Sequence, residues 1–287
     1  MKTSTEISSL CARVSHEKAL EMLGQAGFDA FDLSLFEMGK YDWANRRMLP
    51  SSSPFLGPDA LKYARHIRQV GLDNGLTCNQ SHAPFPVCCP DIRKLLPRAL
   101  ECAAEAGAEI CVVHPDNDKS AEENAEMFWE LLPLARQLGV KIATENMWNW
   151  NSAEDHAAPA ACSSHTDFLA HIEAVNDPFL VACVDVGHAE MRGLGTSAEQ
   201  MIRTLGRHVQ ALHIHDTDRH HDNHQLPLTM QIDYDPILRA LHDVGYQGYF
   251  TLEADSYLPG LPDDQLMQGV RSMQRAAREL ADRFERL

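Results

Sequence analysis

The chain has 287 residues, 44% of them hydrophobic, which suits one large α/β barrel or two ordinary domains and is ample to bury a core. Its 41 acidic residues outnumber 25 basic ones, for a formal charge of −16, so the molecule repels phosphate backbones and anionic lipid, and neither nucleic acid nor membrane is an expected partner. The N-terminal MKTSTEISSLCARVS lacks a signal-peptide core and no apolar run approaches the roughly 18 residues of a membrane span, which points to a cytoplasmic protein.

A unit recurs along the chain: an amphipathic helical stretch, a glycine near its end, then an apolar strand, as in AGFDAFDLSLF, NGLTCNQSH, AGAEICVVH, LGVKIATE and VGYQGYFTLE. Gly27, Gly75, Gly107, Gly139 and Gly245 supply the left-handed stop that lets each helix turn back. Strands are expected near 4–8, 29–35, 76–81, 109–114, 140–145, 180–185, 209–215 and 248–253, with helical periodicity between them and a last helix over 262–284. The eight βα units predict a single (β/α)8 barrel domain over residues 1–287, with no linker to mark a second. Two connections are long, 36–56 with Trp43 and PSSSP, and 146–164, NMWNWNSAEDHAAPAACSS; long loops after barrel strands normally shape the active site. Eight cysteines are scattered without a CxxC pair, so no disulfide framework is expected. Cys111 and Cys183 read as small buried hydrophobes, and the adjacent Cys88 and Cys89 as loop packing.

Six of the strand-like runs end in a residue able to bind or polarise a metal: His82, His114, Glu145, Asp185, His213 and Glu253. In a parallel barrel the carboxyl ends of the strands converge on one mouth. Glu145 closes VKIATE and Glu253 closes YFTLE; a carboxylate at such an exit must be paired, hydrogen-bonded or metal-bound. FLVACVDVGH delivers Asp185 and then His188, and VQALHIHD delivers His213, with His215 on the same strand face. Glu145, Asp185, His213 and Glu253 come from four consecutive strands and together suit a cage for one divalent ion. Each also has a plainer reading: a satisfied structural carboxylate, a cap of the turn GHAEMRG for Asp185, ordinary core or loop histidines for His82 and His114.

After the seventh strand, HDTDRHHDNHQLPLTMQIDY gathers Asp216, Asp218, Arg219, His220, His221, Asp222 and His224. A solvated polar loop explains such a run, although Asp222 and His224 are spaced to hold a second ion and Arg219 to clamp a substrate oxygen. Trp148 and Trp150 offer an apolar wall to a sugar face, or simply pack the long loop. No glycine-rich phosphate loop is present.

ENMW at Glu145, CVDVGH from Asp185 to His188, HIHD from His213 to Asp216, and LEA at Glu253 resemble the xylose isomerase-like barrel superfamily over nearly the whole chain. Its members include sugar isomerases, ketose 3-epimerases, inosose dehydratases and endonuclease IV-type repair enzymes. The resemblance implies one divalent ion on Glu145, Asp185, His213 and Glu253, with His188 and Arg219 contacting a small-molecule sugar; Trp148 is a further substrate-wall candidate. The endonuclease IV-like members hold three zinc ions on a larger set, matched in type here by His82, His114, His188, Asp222 and His224. The expected activity is a metal-dependent isomerase or epimerase working through an enediolate, with Glu145 and Glu253 as the catalytic acid and base. Mn²⁺, Mg²⁺ or Co²⁺ suit an oxygen-rich chelate, and the imidazoles also accept Zn²⁺. An inosose dehydratase-like lyase, an endonuclease IV-like zinc phosphodiesterase and a non-catalytic sugar-binding barrel are the alternatives. Related barrels often form homodimers or homotetramers.

Overall fold

Parallel strands alternate with helices in the computed structural model, which describes residues 1–287. The strands that matter for the site are β1 (Thr3–Thr5), β2 (Ala30–Ser34), β3 (Thr77–His82), β4 (Ile110–Val112), β5 (Lys141–Glu145), β6 (Leu180–Asp185), β7 (Val209–His213) and β8 (Phe250–Leu252). Strands β2 to β7 form a six-stranded parallel sheet in chain order, and β1 pairs with β8 in a two-stranded one. Isolated bridges Glu6↔Asp32 and Ile214↔Leu252 link the two sheets. At these seams Asp29 N–H donates to Thr3 O at 3.1 Å and Ile214 N–H to Thr251 O at 3.0 Å.

The helices are cut to length by local chemistry. Helix His16–Ala26 starts at Ser15, whose hydroxyl accepts from Lys18 N–H, and stops at Gly27 with φ 93°, a conformation that a Cβ would oppose. Helix Ala121–Leu138 opens on a reciprocal Ser120–Glu123 capping box. A cluster of 72 buried side chains fills the space between helices and sheet. On the opposite face of the same strands, Val112, Ala143, Val181, Cys183 and Ala211 form a separate cluster of five. Strands buried on both faces in this way are why the central runs read as continuous apolar segments.

Three expectations are corrected. The first strand is Thr3–Thr5, not 4–8, and a short helix, Ser8–Cys11, follows it at once. Strand β3 is not an apolar run: its TCNQSH sequence buries Asn79 and Gln80, because Ser4 Oγ donates to Asn79 Oδ1 at 2.6 Å and Asn79 Nδ2 to Thr251 Oγ1 at 3.1 Å. Side-chain hydrogen bonds thus satisfy the polar atoms that burial would otherwise penalise. Strand β4 ends at Val112, so His114 stands two residues beyond it. Both long connections contain two-stranded hairpins, pairing Tyr41–Asp42 with Arg47–Met48 and Asn149–Asn151 with His156–Ala158. The last helix is Leu266–Glu285. All eight cysteines are free, and no helix is long and apolar enough to cross a membrane.

Candidate metal centre and active site

Parallel register fixes which side chains meet at the mouth. Asp185 lies opposite His213 across β6 and β7, and Cys183 lies opposite Glu145 across β6 and β5. Glu145, Asp185, His213 and Glu253, all buried, bring ligand atoms within 4.8 Å of one another. His213 is the hub. Its Nδ1 lies 3.0 Å from Glu145 Oε1 and 3.5 Å from Glu253 Oε2, while Nε2 lies 3.2 Å from Asp32 Oδ2. Asp32 is held in turn by Gln80 Nε2 at 2.8 Å.

Two further clusters flank this cage. On one side the Nε2 atoms of His82 and His114 stand 2.9 Å apart, and they lie 3.5 and 3.2 Å from Glu145 Oε2. His82 Nδ1 is 3.0 Å from Ala83 O, so the proton belongs on Nδ1 and Nε2 turns its lone pair inward. On the other side are His188, His215, Asp222 and His224. His188 Nδ1 donates to Asn146 O at 2.9 Å and His224 Nδ1 to Glu253 O at 2.8 Å. Both Nε2 atoms thereby face Asp222 Oδ2, at 3.2 and 3.1 Å. The rings of His215 and His224 stack at 3.9 Å, and His215 Nε2 lies 3.1 Å from Asp185 Oδ1. Only glycine fits at 187, since a Cβ there would stand 2.0 Å from His215 Cε1.

Surrounding residues hold these groups in place. Asn146 clamps the Asp185 peptide from both ends, accepting from Asp185 N–H at 2.8 Å and donating to Asp185 O at 2.9 Å. Asp216 is not part of a solvated run: it is fully buried and accepts from the backbone of Thr217, Thr229, Met230 and Ile232 at 2.9–3.0 Å. It therefore folds the loop that presents Asp222 and His224.

The cluster fits a divalent cation. Glu145 Oε2, Asp185 Oδ2, Asp222 Oδ1 and His215 Nδ1 are buried without a hydrogen-bond partner, and all four lie within these groups. Uncompensated buried oxygens of this kind cost several kcal/mol, on the order of 1–3 each or more when charged, unless a cation completes them. Charge points the same way. Burial pulls His188 and His224 down, but Asp185 and Asp222 outweigh it for His188, and Asp222 above all for His224, raising each to about 10. Burial pushes Glu145 up, yet His213, His114 and His82 hold it well below the usual carboxylate range. Burial, reinforced by Glu145, Asp255 and Asp185, drives Glu253 well above that range despite His213. The carboxylates demand positive charge, and the donor set mixes oxygen and imidazole nitrogen as Zn²⁺, Mn²⁺ or Co²⁺ accept.

The residues singled out in the sequence fall into two sets. His82, His114, Glu145, His188, Asp222, His224 and Glu253 line one cavity of about 540 Å³, together with Trp148, whose Nε1 donates to Asp222 Oδ2 at 3.3 Å; Asp185 and His213 sit beneath it. Arg219 is elsewhere. It is outside the lining and pairs with Glu190 Oε2 at 3.1 Å. Asp32, Asn146 and Asp255 belong to no ligand pattern in the sequence, and His215 stands out there only as a neighbour of His213. Asn146 carried the clearest signal, lying directly after Glu145 in TEN.

A family model described as xylose isomerase-like TIM barrel matches residues 20–277. Among curated proteins, the uncharacterized protein MJ1311 of Methanocaldococcus jannaschii is 23% identical over 253 residues, covering 82% of this chain and 78% of its own. Among solved structures, a D-tagatose 3-epimerase-like protein superposes with a TM-score of 0.73 at 19% identity, covering 100% of this chain and 99% of its own. The IolI protein with a bound zinc atom superposes at 0.72 and 16% identity, covering 99% of each chain. At these identities the likeness is one of fold.

Proposed function

Because the chain belongs to the xylose isomerase-like TIM barrel family, we propose that it is a metal-dependent isomerase or epimerase of a ketose, aldose or related polyol. In this reading the two sheets close as a single (β/α)8 domain over 1–287. One divalent ion is held by Glu145, Asp185, His213 and Glu253. The observation that carries the proposal is the convergence of those four buried ligands at the strand exits. The zinc in IolI and the epimerase likeness of the other solved structure support it.

When bound, such an ion supplies Lewis-acid polarisation of neighbouring carbonyl and hydroxyl oxygens. The remaining work falls to the chain. Glu145, held ionised by its histidines, removes the proton from the carbon next to the carbonyl. Glu253 returns one, on the opposite face for epimerisation. His188 orients a substrate oxygen through Nε2, and Trp148 packs against the sugar. Arg219 takes a substrate role only if it leaves Glu190. The 149–158 hairpin shields the reaction from water.

The test is solvent deuterium entering a responsive sugar, with Glu145→Gln and Glu253→Gln made separately. Each variant should lose exchange by about 10²–10⁴-fold. Wild-type exchange in both would sink the two-glutamate scheme.

One observation favours a second reading. The His82–His114–Glu145 and His188–His215–Asp222–His224 clusters each gather ligand atoms within 4.8 Å beside the central cage, a layout suited to three ions and to phosphodiester hydrolysis. That reading requires about three zinc ions per chain by metal analysis and nicking of abasic DNA. The charge of −16 and a cavity lining without lysine or arginine weigh against a nucleic-acid substrate.

A further inference from the structure

Beyond the histidine clusters, the cavity changes character. Its outer wall is aromatic, with Phe36 and Trp43 from the connection after β2, Phe85 from that after β3, and Trp148 and Trp150 from that after β5. Among 23 lining residues there is no lysine or arginine, while Asp116, Asp118 and Asp255 add carboxylates outside the metal-ligating set. Any bound cation is deep in the cage, so a group on the far end of a substrate meets these carboxylates and rings instead. Arg219, the nearest candidate for an anion clamp in the sequence, is paired with Glu190.

A phosphate placed there would be desolvated against like charge with no donor of opposite sign, which is costly in a partly closed site. An apolar or ring substituent would gain. One sugar ring over the histidines can offer its apolar face to one wall, yet rings arrive from three connections. Trp43, with its ring edge-on to Tyr41 at 4.9 Å, is 66% exposed, as an apolar surface kept for a ligand would be.

We propose that the site takes an uncharged reducing sugar extended, on a hydroxyl remote from its carbonyl, by an apolar or second-ring substituent, and discriminates against sugars phosphorylated at their far end. This rests on the sugar-enzyme reading and names its substrate class. Trp43 and Trp150 are the specificity-determining residues, acting on the substituent and not on the reacting carbons.

The experiment is isothermal titration of the manganese-loaded full chain with common hexoses in three forms: free, phosphorylated at the terminal carbon, and benzylated on the terminal oxygen. Inorganic phosphate is run as a separate arm to report binding to the ion alone. The benzyl ether of at least one hexose should bind about tenfold more tightly than the free sugar, and the phosphate of the same hexose no better than inorganic phosphate. Trp43→Ala and Trp150→Ala should each shrink the gap between benzyl ether and free sugar. A sugar phosphate that outbinds the free sugar, a gap unchanged in both variants, or no binding in any form overturns the proposal. Binding is read without turnover. The expected order of affinities with no deuterium exchange would keep this specificity and remove the isomerase reading, whereas exchange on a terminal phosphate ester would do the reverse.

Discussion

His114 and His188 are both largely buried histidines just beyond strand ends, yet their charge is set in opposite directions. Burial, with His82 close by, pushes His114 down to about 4 even though Glu145 pulls the other way. Burial also lowers His188, but Asp185 and Asp222 outweigh it and raise the imidazole to about 10. The difference lies in how many carboxylates each cluster supplies. On the His82 side two imidazoles share the single carboxylate of Glu145; on the other, Asp185 and Asp222 lie among His188, His215 and His224. His114 is therefore ready for a cation while His188 is protonated, so an ion entering either side would meet different proton costs.

The most severe way to break this comparison is Glu145→Gln, because Glu145 belongs to the central cage and to the His82–His114 cluster at once. Metal content by elemental analysis should fall at the central cage, and with it any ion that the His82–His114 cluster takes. Unchanged content would show that Glu145 binds none. Asp222→Asn should act on one side alone, weakening uptake by 100-fold or more in a titration while a site at His82 and His114 persists. Equal losses on both sides would merge the clusters into one cooperative unit.

Proton bookkeeping sharpens the contrast. At pH 7, filling the Asp222 side should release about two protons, from His188 and His224, whereas His114 should release close to none. Calorimetry in buffers of different ionisation enthalpy reads this directly, and equal release by both sides contradicts the assignment. Stability of the chelator-treated chain follows the same shifts. His188 and His224 have folded values raised above 6.5, so their contribution is full below pH 6.5 and is lost as pH rises through about 10. His114 is lowered to about 4, so its contribution is present above pH 6.5 and is lost as pH falls toward 4. Melting temperatures across pH 4 to 10 should decline toward both ends. The smallest effect is expected of Trp148→Phe, which removes only the indole hydrogen bond to Asp222. Metal affinity on that side should weaken about tenfold or less, with none on the other.

Much of this architecture is legible without coordinates. The glycine-terminated helices and the apolar runs predict eight parallel strands, and β6 at Leu180–Asp185 has the predicted bounds. The polar β1 and β3 blur that signal, since Asn79 looks solvent-exposed in sequence and is buried only because Ser4 and Thr251 meet it from strands far along the chain. Asp216 and Asp222 show the same limit within one loop. Both lie in a run of charged residues that reads as solvated, but four backbone N–H groups bury the first and three histidines surround the second.

The sequence alone determined the repeat, the strand exits and the types of ligand waiting at them, because periodicity and residue chemistry are local properties. Tertiary structure decided which nitrogen of each histidine faces inward, which carboxylates share a cation's space, and that Arg219 turns to Glu190 and away from the cavity. Those outcomes depend on register and on backbone carbonyls contributed by other strands and loops, and no local pattern encodes them.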